Sequence, residues 1–231
     1  MKLKTAIILA GGLGTRLRSA VPDLPKCMAP VAGRPFLSHV MDYYLKEGIE
    51  TFVLSLGYKH EIIGEFISEQ YADKDIRIVI ENEPLGTGGA ILNALSATKD
   101  EHVLILNGDT LFKVDADVLF QFHLAQKDAC TLALKPMQDF ERYGVVELNE
   151  DATIRSFQEK KQYAHGLING GVYILERASF LRLHLPIKFS FEKEYLEPYY
   201  PKQKMSGCIQ DRYFIDIGIP EDFTKAQSEL S

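Results

Sequence analysis

A glycine-rich run followed by two basic residues is the part of this chain that most directly suggests chemistry. Gly11, Gly12 and Gly14 follow an apolar segment, and Arg16 and Lys26 come shortly after them. Glycine lets backbone N–H groups approach a ligand with no Cβ in the way. A guanidinium and an ammonium can then neutralise the ligand's charge. The run therefore predicts a nucleoside triphosphate site; the alternative is an ordinary glycine-rich turn with a surface arginine and lysine.

Two better-known glycine-rich motifs do not match this run. A dinucleotide-binding loop needs a third glycine, and in the frame that begins at Gly12 that position is Leu17. An ATPase P-loop needs a glycine followed by lysine, and no glycine in this region has that neighbour. The predicted triphosphate site therefore differs from both of these phosphate-binding motifs.

Two aspartates, each at the end of a strand-like segment, predict a metal site beside the triphosphate. Asp109 follows the apolar run His102–Leu106, and Asp216 follows a second apolar run. A carboxylate would be repelled by phosphate oxygens unless a hard cation such as Mg²⁺ lay between them. We therefore expect these two carboxylates to hold Mg²⁺, with phosphate oxygens and water completing the coordination. The alternative is that each aspartate only caps a turn.

A second glycine-rich segment, Pro84–Ala90, opens a predicted helix with backbone that can approach a flat group. Glu81 and Glu83 stand just before it. A carboxylate can accept two hydrogen bonds from the N1–H and N2–H₂ edge of guanine, whereas uracil or adenine would satisfy it less well. The segment therefore favours GTP. The alternative is an ordinary helix-opening loop with exposed glutamates.

The elements that must position these residues alternate between strand and helix patterns through the first half of the chain. Strand-like runs end near Ala10, Leu56, Ile80 and Leu106, and helical periodicity separates them. This order predicts a Rossmann-like α/β fold, in which helices cover both faces of a mostly parallel mixed sheet. Ligands of such sheets bind beyond the carboxyl ends of the strands, where both the glycine-rich run and Asp109 fall.

The second half of the chain changes to short strand-like runs separated by turn residues. The runs cover Cys130–Leu134, Gly144–Leu148, Thr153–Phe157 and Leu167–Leu175. Helical periodicity returns only at Pro220–Leu230. This pattern predicts a smaller lobe that folds over the sheet and closes one side of a pocket. We expect a single domain over residues 1–231, with halves at 1–128 and 129–231.

Composition excludes several classes of protein. The formal net charge of −6 argues against a general nucleic-acid or anionic-membrane surface, because an acidic protein is not attracted to either at long range. Cys27, Cys130 and Cys208 are far apart and odd in number, which indicates neither a disulfide framework nor a cysteine zinc site. No apolar run reaches the length of about 18 residues that a membrane span requires. We therefore expect a cytoplasmic protein with no nucleic-acid or membrane partner.

The ordered motifs of the chain resemble those of the sugar-1-phosphate nucleotidylyltransferases. The motifs are Gly11–Leu17 with Pro25-Lys26, Pro84–Gly89, Asn107–Asp109, Arg142–Val146, Glu159-Lys160, Asn169–Gly171 and Asp216–Gly218. They span nearly the whole chain in the order of the family. Within the family, Arg18-Ser19, Asp23–Pro30 and Arg34–Leu37 most resemble members that use GTP and a heptose 1-phosphate. A mannose or other hexose 1-phosphate is the alternative.

The resemblance implies a role for each motif. Arg16, Lys26 and Asp109 would be catalytic, and Asp109 and Asp216 would bind Mg²⁺. The implied nucleotide-binding residues are Leu9, Ala10, Gly11, Gly12, Gly14, Thr15, Glu81, Pro84, Gly86, Thr87 and Gly88. The implied sugar-phosphate-binding residues are Gly144, Glu159, Lys160 and Asn169. A solvated charge pair is the alternative for Glu159 and Lys160.

The implied reaction is attack by the sugar 1-phosphate oxygen on the α-phosphorus of the nucleotide, with departure of pyrophosphate. The partners are then an NTP and a sugar 1-phosphate, and the sequence leaves a homo-oligomer open.

A rival enzyme class is suggested by Asp115-Ala116-Asp117, which matches the Asp-x-Asp metal motif of nucleotide-sugar glycosyltransferases. Because this motif heads an apolar-faced helix, helix capping explains it more simply. A non-catalytic nucleotide-sugar sensor is the remaining alternative.

Overall fold

The apolar runs of the first half form four parallel strands, as their sequence predicts. The computed structural model describes residues 1–12, 17 and 21–231. Its first strands, numbered in chain order, are β1 (Thr5–Ala10), β2 (Pro30–Val31), β3 (Arg34–Pro35), β4 (Thr51–Leu56), β5 (Asp75–Ile80), β6 (His102–Asn107) and β7 (Thr110–Phe112). Four of these strands lie in the central sheet in the order β5-β4-β1-β6, all parallel. Their carboxyl ends therefore meet at one edge of the sheet.

Helices cover both faces of this sheet. They are α1 (Phe36–Lys46), α2 (His60–Gln70), α3 (Gly86–Ala94), α4 (Ala116–Gln126), α5 (Arg177–Leu181), α6 (Glu197–Tyr199) and α7 (Pro220–Glu229). Ile8 of β1 lies in an apolar core with Val40 of α1 and Leu119 of α4. Its neighbour Ile7 lies in a second core with Ile91 of α3. Because side chains alternate along a strand, the two cores are on opposite faces, which confirms the predicted Rossmann-like α/β class.

The strands of the second half, apart from the last one, join the same sheet. They are β8 (Cys130–Phe140), β9 (Val145–Leu148), β10 (Ile154–Gln158), β11 (Tyr163–Glu176), β12 (Met205–Ile209) and β13 (Phe214–Asp216). The long strand β11 runs antiparallel to β6 and β8, and β9 and β10 continue the sheet beyond it. The assignment of nucleotide binding to residues 1–128 and sugar-phosphate binding to 129–231 stays a prediction.

Two of these strands are longer than the sequence pattern predicts. β8 continues to Phe140, and β11 begins at Tyr163, where the two strands pair with each other. The added residues of β8 include Pro136 and polar side chains, and five of the six are partly buried or exposed. They therefore lack the apolar signal that marks a buried strand.

A separate pair of short strands brings together two distant parts of the chain. β13 pairs antiparallel with β7, and Asp216 lies opposite Thr110. The backbone N–H of Ile217 donates to the carbonyl oxygen of Asp109 at 3.0 Å. This pairing, which the sequence pattern does not reveal, places the Asp109 and Asp216 side chains side by side.

The three cysteines lie in the interior of the protein. Cys27, Cys130 and Cys208 are all free and buried. Burial, with a smaller contribution from the Asp109 carboxylate, raises the pKa of the Cys27 thiol to about 12, so this thiol stays protonated at neutral pH.

None of the helices in the described part of the chain combines the length and hydropathy needed to cross a bilayer. The expected cytoplasmic location stays a prediction.

Candidate active site

Lys26, Asp109 and Asp216 form a compact charged cluster at the carboxyl edge of the sheet. The Lys26 ammonium contacts the Asp109 carboxylate directly and lies 3.7 Å from Oδ1 of Asp216. Lys26 belongs to a short 3₁₀ helix, Lys26–Met28, whose other two residues are buried in the core. Its side chain is only 11% exposed. The core therefore fixes the position of this cation between two carboxylates.

The electrostatic balance of the cluster is set by burial and by charge. Burial and the nearby Asp109 carboxylate raise the pKa of Asp216, while the Lys26 ammonium and the Arg142 guanidinium oppose that shift. The backbone N–H of Gly218 also donates to Oδ1 of Asp216 at 2.7 Å. Two carboxylates so close together need a cation between them, and Lys26 supplies one in this structure.

The same two carboxylates fit a hard divalent cation. Both are oxygen donors of the kind that Mg²⁺ prefers, and they already converge on one positive group, the Lys26 ammonium. Among the described residues no group of three or more His, Cys, Asp or Glu side chains could hold a metal by itself. A cation here would therefore need further oxygens from a bound ligand or from water, as Mg²⁺ commonly does.

Arg142 adds a second cation at the edge of this cluster. Its guanidinium donates to Asp222 at 2.5 Å and lies 3.9 Å from Oδ2 of Asp216. It also donates to the Tyr143 hydroxyl at 3.2 Å. Asp222 was not among the predicted site residues, because an acidic residue in the first turn of a helix is usual and carries no specific signal.

The glycine-rich run lies at the same edge, and its described part packs tightly against neighbouring loops. A Cβ on Gly11 would stand 2.5 Å from Oε1 of Glu81, and one on Gly108 would stand 2.9 Å from the carbonyl oxygen of Leu9. Gly108 also donates to that carbonyl at 2.9 Å. The loops after β1, β5 and β6 therefore meet around Leu9, Ala10 and Gly11. The predicted Gly14, Thr15 and Arg16 lie outside the described residues.

The Glu81 carboxylate lies at this edge, and two hydrogen bonds from the protein fix its position. Its Oε1 accepts from the Ser55 hydroxyl at 2.9 Å, and its Oε2 accepts from the backbone N–H of Leu85 at 3.2 Å. The carboxylate is thereby fixed in orientation beside Gly11. Each oxygen keeps a second lone pair, so a role in accepting from a base stays a prediction.

The predicted base-binding segment makes contacts that the sequence does not suggest. The N–H groups of Gly88 and Gly89 donate to the carbonyl oxygen of Phe189 at 3.0 and 3.3 Å. The Thr87 hydroxyl donates to Glu192 at 3.0 Å and accepts from the N–H of Phe191 at 2.8 Å. The start of α3 is thus fastened to a segment of the second half. Pro84 and Gly86, by contrast, are exposed and accessible to a ligand.

The four predicted sugar-phosphate residues come together in one cavity of about 430 Å³, within the usual size range of ligand pockets. Tyr143 also lines it, and through the adjacent Arg142 the cavity adjoins the charged cluster. Further polar groups of the cavity come from Ser190, Glu192 and Lys193, which were not among the predicted site residues because polar residues in a loop or a helix usually face solvent. The cavity is lined by Tyr143, Gly144, Val145, Val146, Phe157, Gln158, Glu159, Lys160, Asn169, Ser190, Glu192, Lys193, Leu196 and Glu197.

Asn169 stands at an irregularity of β11 that faces this cavity. The register with β8 shifts between Asn169 and Tyr173, and Gly171 adopts a φ of +71°. The Asn169 amide donates to the Tyr173 hydroxyl at 2.8 Å, and its Oδ1 accepts from the N–H of Gly171 at 3.1 Å. One amide hydrogen of Asn169 remains to donate to a ligand.

Comparison with known proteins identifies the family. The family model described as nucleotidyl transferase matches residues 5–231. This chain belongs to the nucleotidyl transferase family. This chain is 52% identical over 225 residues to D-glycero-α-D-manno-heptose 1-phosphate guanylyltransferase of Aneurinibacillus thermoaerophilus, with 97% of each chain covered. It is 48% identical over 218 residues to the protein of the same name from Campylobacter jejuni, covering 94% of this chain and 96% of the relative.

A solved structure agrees with this result. HddC from Yersinia pseudotuberculosis, crystallised in complex with GMP-PN, superposes on the nucleotidyl transferase with a TM-score of 0.89 and 36% identity. The match covers 99% of this chain and 100% of the HddC chain. The family resemblance and the fold class predicted from the sequence are therefore both confirmed.

The rival Asp-x-Asp motif of this nucleotidyl transferase is a helix cap. Asp115 is the N-cap of α4, and its Oδ1 accepts from the N–H of Val118 at 2.9 Å. Asp117 lies in the first turn and is exposed. The structure therefore supports the capping interpretation that the sequence favoured.

Replacing the cap should change stability and leave catalysis alone. Asp115→Ala removes the partner of the Val118 N–H and should lower the free energy of unfolding by about 1 kcal/mol. Asp117→Ala, the control within the same motif, should cost less, because it removes only a favourable interaction with the helix dipole. Denaturant titration measures the first effect, and pyrophosphate release should stay at the level of the unmodified enzyme in both variants. A large loss of turnover in both would favour a metal-binding role for the motif.

Proposed function

We propose that this nucleotidyl transferase transfers a guanylyl group from GTP to D-glycero-α-D-manno-heptose 1-phosphate, forming GDP-heptose and pyrophosphate. The observation that carries the proposal is the Lys26, Asp109 and Asp216 cluster adjoining a cavity that contains Glu159 and Lys160. Two relatives named as heptose 1-phosphate guanylyltransferases and a solved structure complexed with GMP-PN favour this base and this sugar.

The proposed reaction needs no general base from the protein. A phosphate monoester has its second pKa near 6, so the sugar 1-phosphate is already a dianion for the most part at neutral pH. One of its oxygens forms a bond to the α-phosphorus of GTP as the bond from that phosphorus to the β-phosphate oxygen breaks. Pyrophosphate leaves with the electron pair of the broken bond. The task left to the protein is to align the two phosphates and to balance their charge.

The charged cluster is suited to that task. Lys26 presents a positive charge from a position fixed by the core, next to where the triphosphate is proposed to lie. Mg²⁺ held by Asp109 and Asp216 would supply further neutralisation of the triphosphate when bound. In the cavity, Lys160 would face the sugar phosphate, whereas Glu159 and Asn169 would bind sugar hydroxyls.

A substrate matrix tests the proposal. Four NTPs would each be combined with heptose, mannose and glucose 1-phosphates in the presence of Mg²⁺, and pyrophosphate release would be measured. We expect the highest kcat/KM for GTP with the heptose 1-phosphate. A site that hydrogen-bonds one base discriminates strongly against another, so the preference over UTP should be large.

The same matrix separates the proposal from its alternatives. A preference for mannose 1-phosphate with GTP would change only the sugar, and a preference for UTP or dTTP would contradict the guanylyl assignment. Binding of nucleotide without pyrophosphate release for any pair would support a sensor. Parallel assays of Asp109→Asn provide the background, because this variant lacks one of the two carboxylates of the proposed cation site.

A further inference from the structure

Arg142 links the sugar cavity to the carboxylates of the proposed cation site. It lies in the turn between β8 and β9, directly before Tyr143 and Gly144 of the cavity. Its guanidinium reaches Asp216 and the first turn of α7.

The guanidinium is shared unequally between two carboxylates. The contact with Asp222 is 2.5 Å, a direct charge-assisted hydrogen bond, whereas Oδ2 of Asp216 is 3.9 Å away, too far for one. Asp222 therefore holds the Arg142 guanidinium just beyond hydrogen-bond distance of Asp216. The Tyr143 hydroxyl, at 3.2 Å, supports the same position.

We propose that Arg142 and Asp222 are a positioning pair that sets the cation affinity of Asp109 and Asp216. The inference rests on the proposed function, because it takes these two carboxylates as the cation site. Arg142 weakens cation binding through its charge, and Asp222 limits that effect by holding the guanidinium away from Asp216. The pair thus keeps the Asp216 oxygens available while the turn that carries Tyr143 and Gly144 stays fastened to α7.

The two partners should then have opposite effects when each is neutralised. Arg142→Gln removes a positive charge next to Asp216, so a cation should bind more tightly. Asp222→Asn removes the stronger partner of Arg142, which leaves the guanidinium free to bond Asp216 and compete with a cation. An ion pair that only stabilised the fold would give changes in the same direction for both variants, because either substitution breaks the same bond.

Terbium luminescence can measure this directly. Tb³⁺ binds carboxylate oxygens as other hard cations do, and it is excited through nearby tyrosine; the chain has 11 tyrosines and no tryptophan. Titration with Tb³⁺ in the absence of substrates, followed by competition with Mg²⁺, gives the Kd of each variant. We expect Arg142→Gln to lower Kd by roughly 3- to 10-fold and Asp222→Asn to raise it by a similar factor, as for charges several Å apart near a protein surface.

Three controls keep the result specific. Arg142→Lys retains the charge and should restore Kd to near the value of the unmodified protein. Arg155→Gln breaks a comparable pair with Glu147, at 2.9 Å on the β9-β10 hairpin, and should leave Kd unchanged. Circular dichroism and thermal melting establish that each variant is folded.

The outcomes separate this inference from the proposed function. Opposite shifts for Arg142→Gln and Asp222→Asn support the positioning pair when Asp222→Asn has little effect in a protein that already carries Arg142→Gln. An Asp222→Asn effect that persists in that double variant overturns the positioning pair, because it then comes from the lost Asp222 charge alone. Equal Kd values, or shifts in the same direction, overturn it when Asp109→Asn still abolishes cation binding. Cation binding that survives Asp109→Asn overturns the proposed cation site, and the positioning pair with it.

Discussion

Replacing Lys26 with alanine should lower kcat for pyrophosphate release by about 10² to 10³, the usual cost of losing one preorganised charge that stabilises a transition state. The side chain is 11% exposed and lies between Asp109 and Asp216, so no neighbouring cation among the described residues contacts both carboxylates in its place. The loss should appear in kcat more than in KM, because the charge that Lys26 balances develops during the reaction.

A second variant and a matched control make this test secure. Lys26→Ala leaves two carboxylates facing each other, so thermal melting must establish that it folds. Asp109→Asn relieves that repulsion while keeping the shape of the side chain, and its kcat should fall by a similar order. Lys135→Ala, which breaks a comparable lysine pair with Asp211 away from the cavity, should keep normal turnover. Normal turnover in Lys26→Ala would refute the assignment.

The fold was predictable where burial leaves a periodic signal. β1, β4 and β6 are buried apolar runs of the expected length, and alternating helical periodicity is enough to predict a parallel sheet covered on both faces. The edge strand β5 is exposed or partly buried throughout, and only its isoleucines and valine marked it as a strand. The paired ends of β8 and β11 gave no such signal, because they are partly exposed and include Pro136. A sequence pattern reports burial, so an exposed strand pair escapes it.

The grouping of the candidate site residues could be predicted where chemistry requires particular residue types, and their roles stay a prediction. Asp109 and Asp216 were paired on chemical grounds alone, and the β7-β13 pairing supplies the physical reason for their closeness. The partners of Arg142 and Thr87 could not be inferred, because both bonds join residues that are 80 or more positions apart in the chain. Such contacts depend on how the second half packs against the first, which local patterns do not encode.

Replacing Gly88 with alanine should destabilise the protein although alanine is the better helix former. The new Cβ would stand 2.2 Å from the Phe189 ring. Phe189 is 3% exposed and packs near Phe180, so the ring cannot turn away without disturbing the core. Overpacking of this kind costs about 1–3 kcal/mol, which outweighs the gain of up to about 1 kcal/mol from helix propensity. The melting temperature should fall by up to about 8 °C.

The same substitution should also affect the sugar substrate, because the displaced segment continues into Ser190 and Glu192 of the cavity. KM for the sugar 1-phosphate should therefore rise together with KM for GTP, because Gly88 itself is an implied nucleotide-binding residue. Gly64→Ala is the matched control: this glycine lies inside α2, and the nearest atom to an added Cβ is Cδ1 of Ile78 at 4.0 Å. That variant should gain up to about 1 kcal/mol and keep both KM values. Equal stabilisation by both alanines would contradict the prediction, because it would show that the Phe189 ring accommodates the added Cβ of residue 88 at no cost.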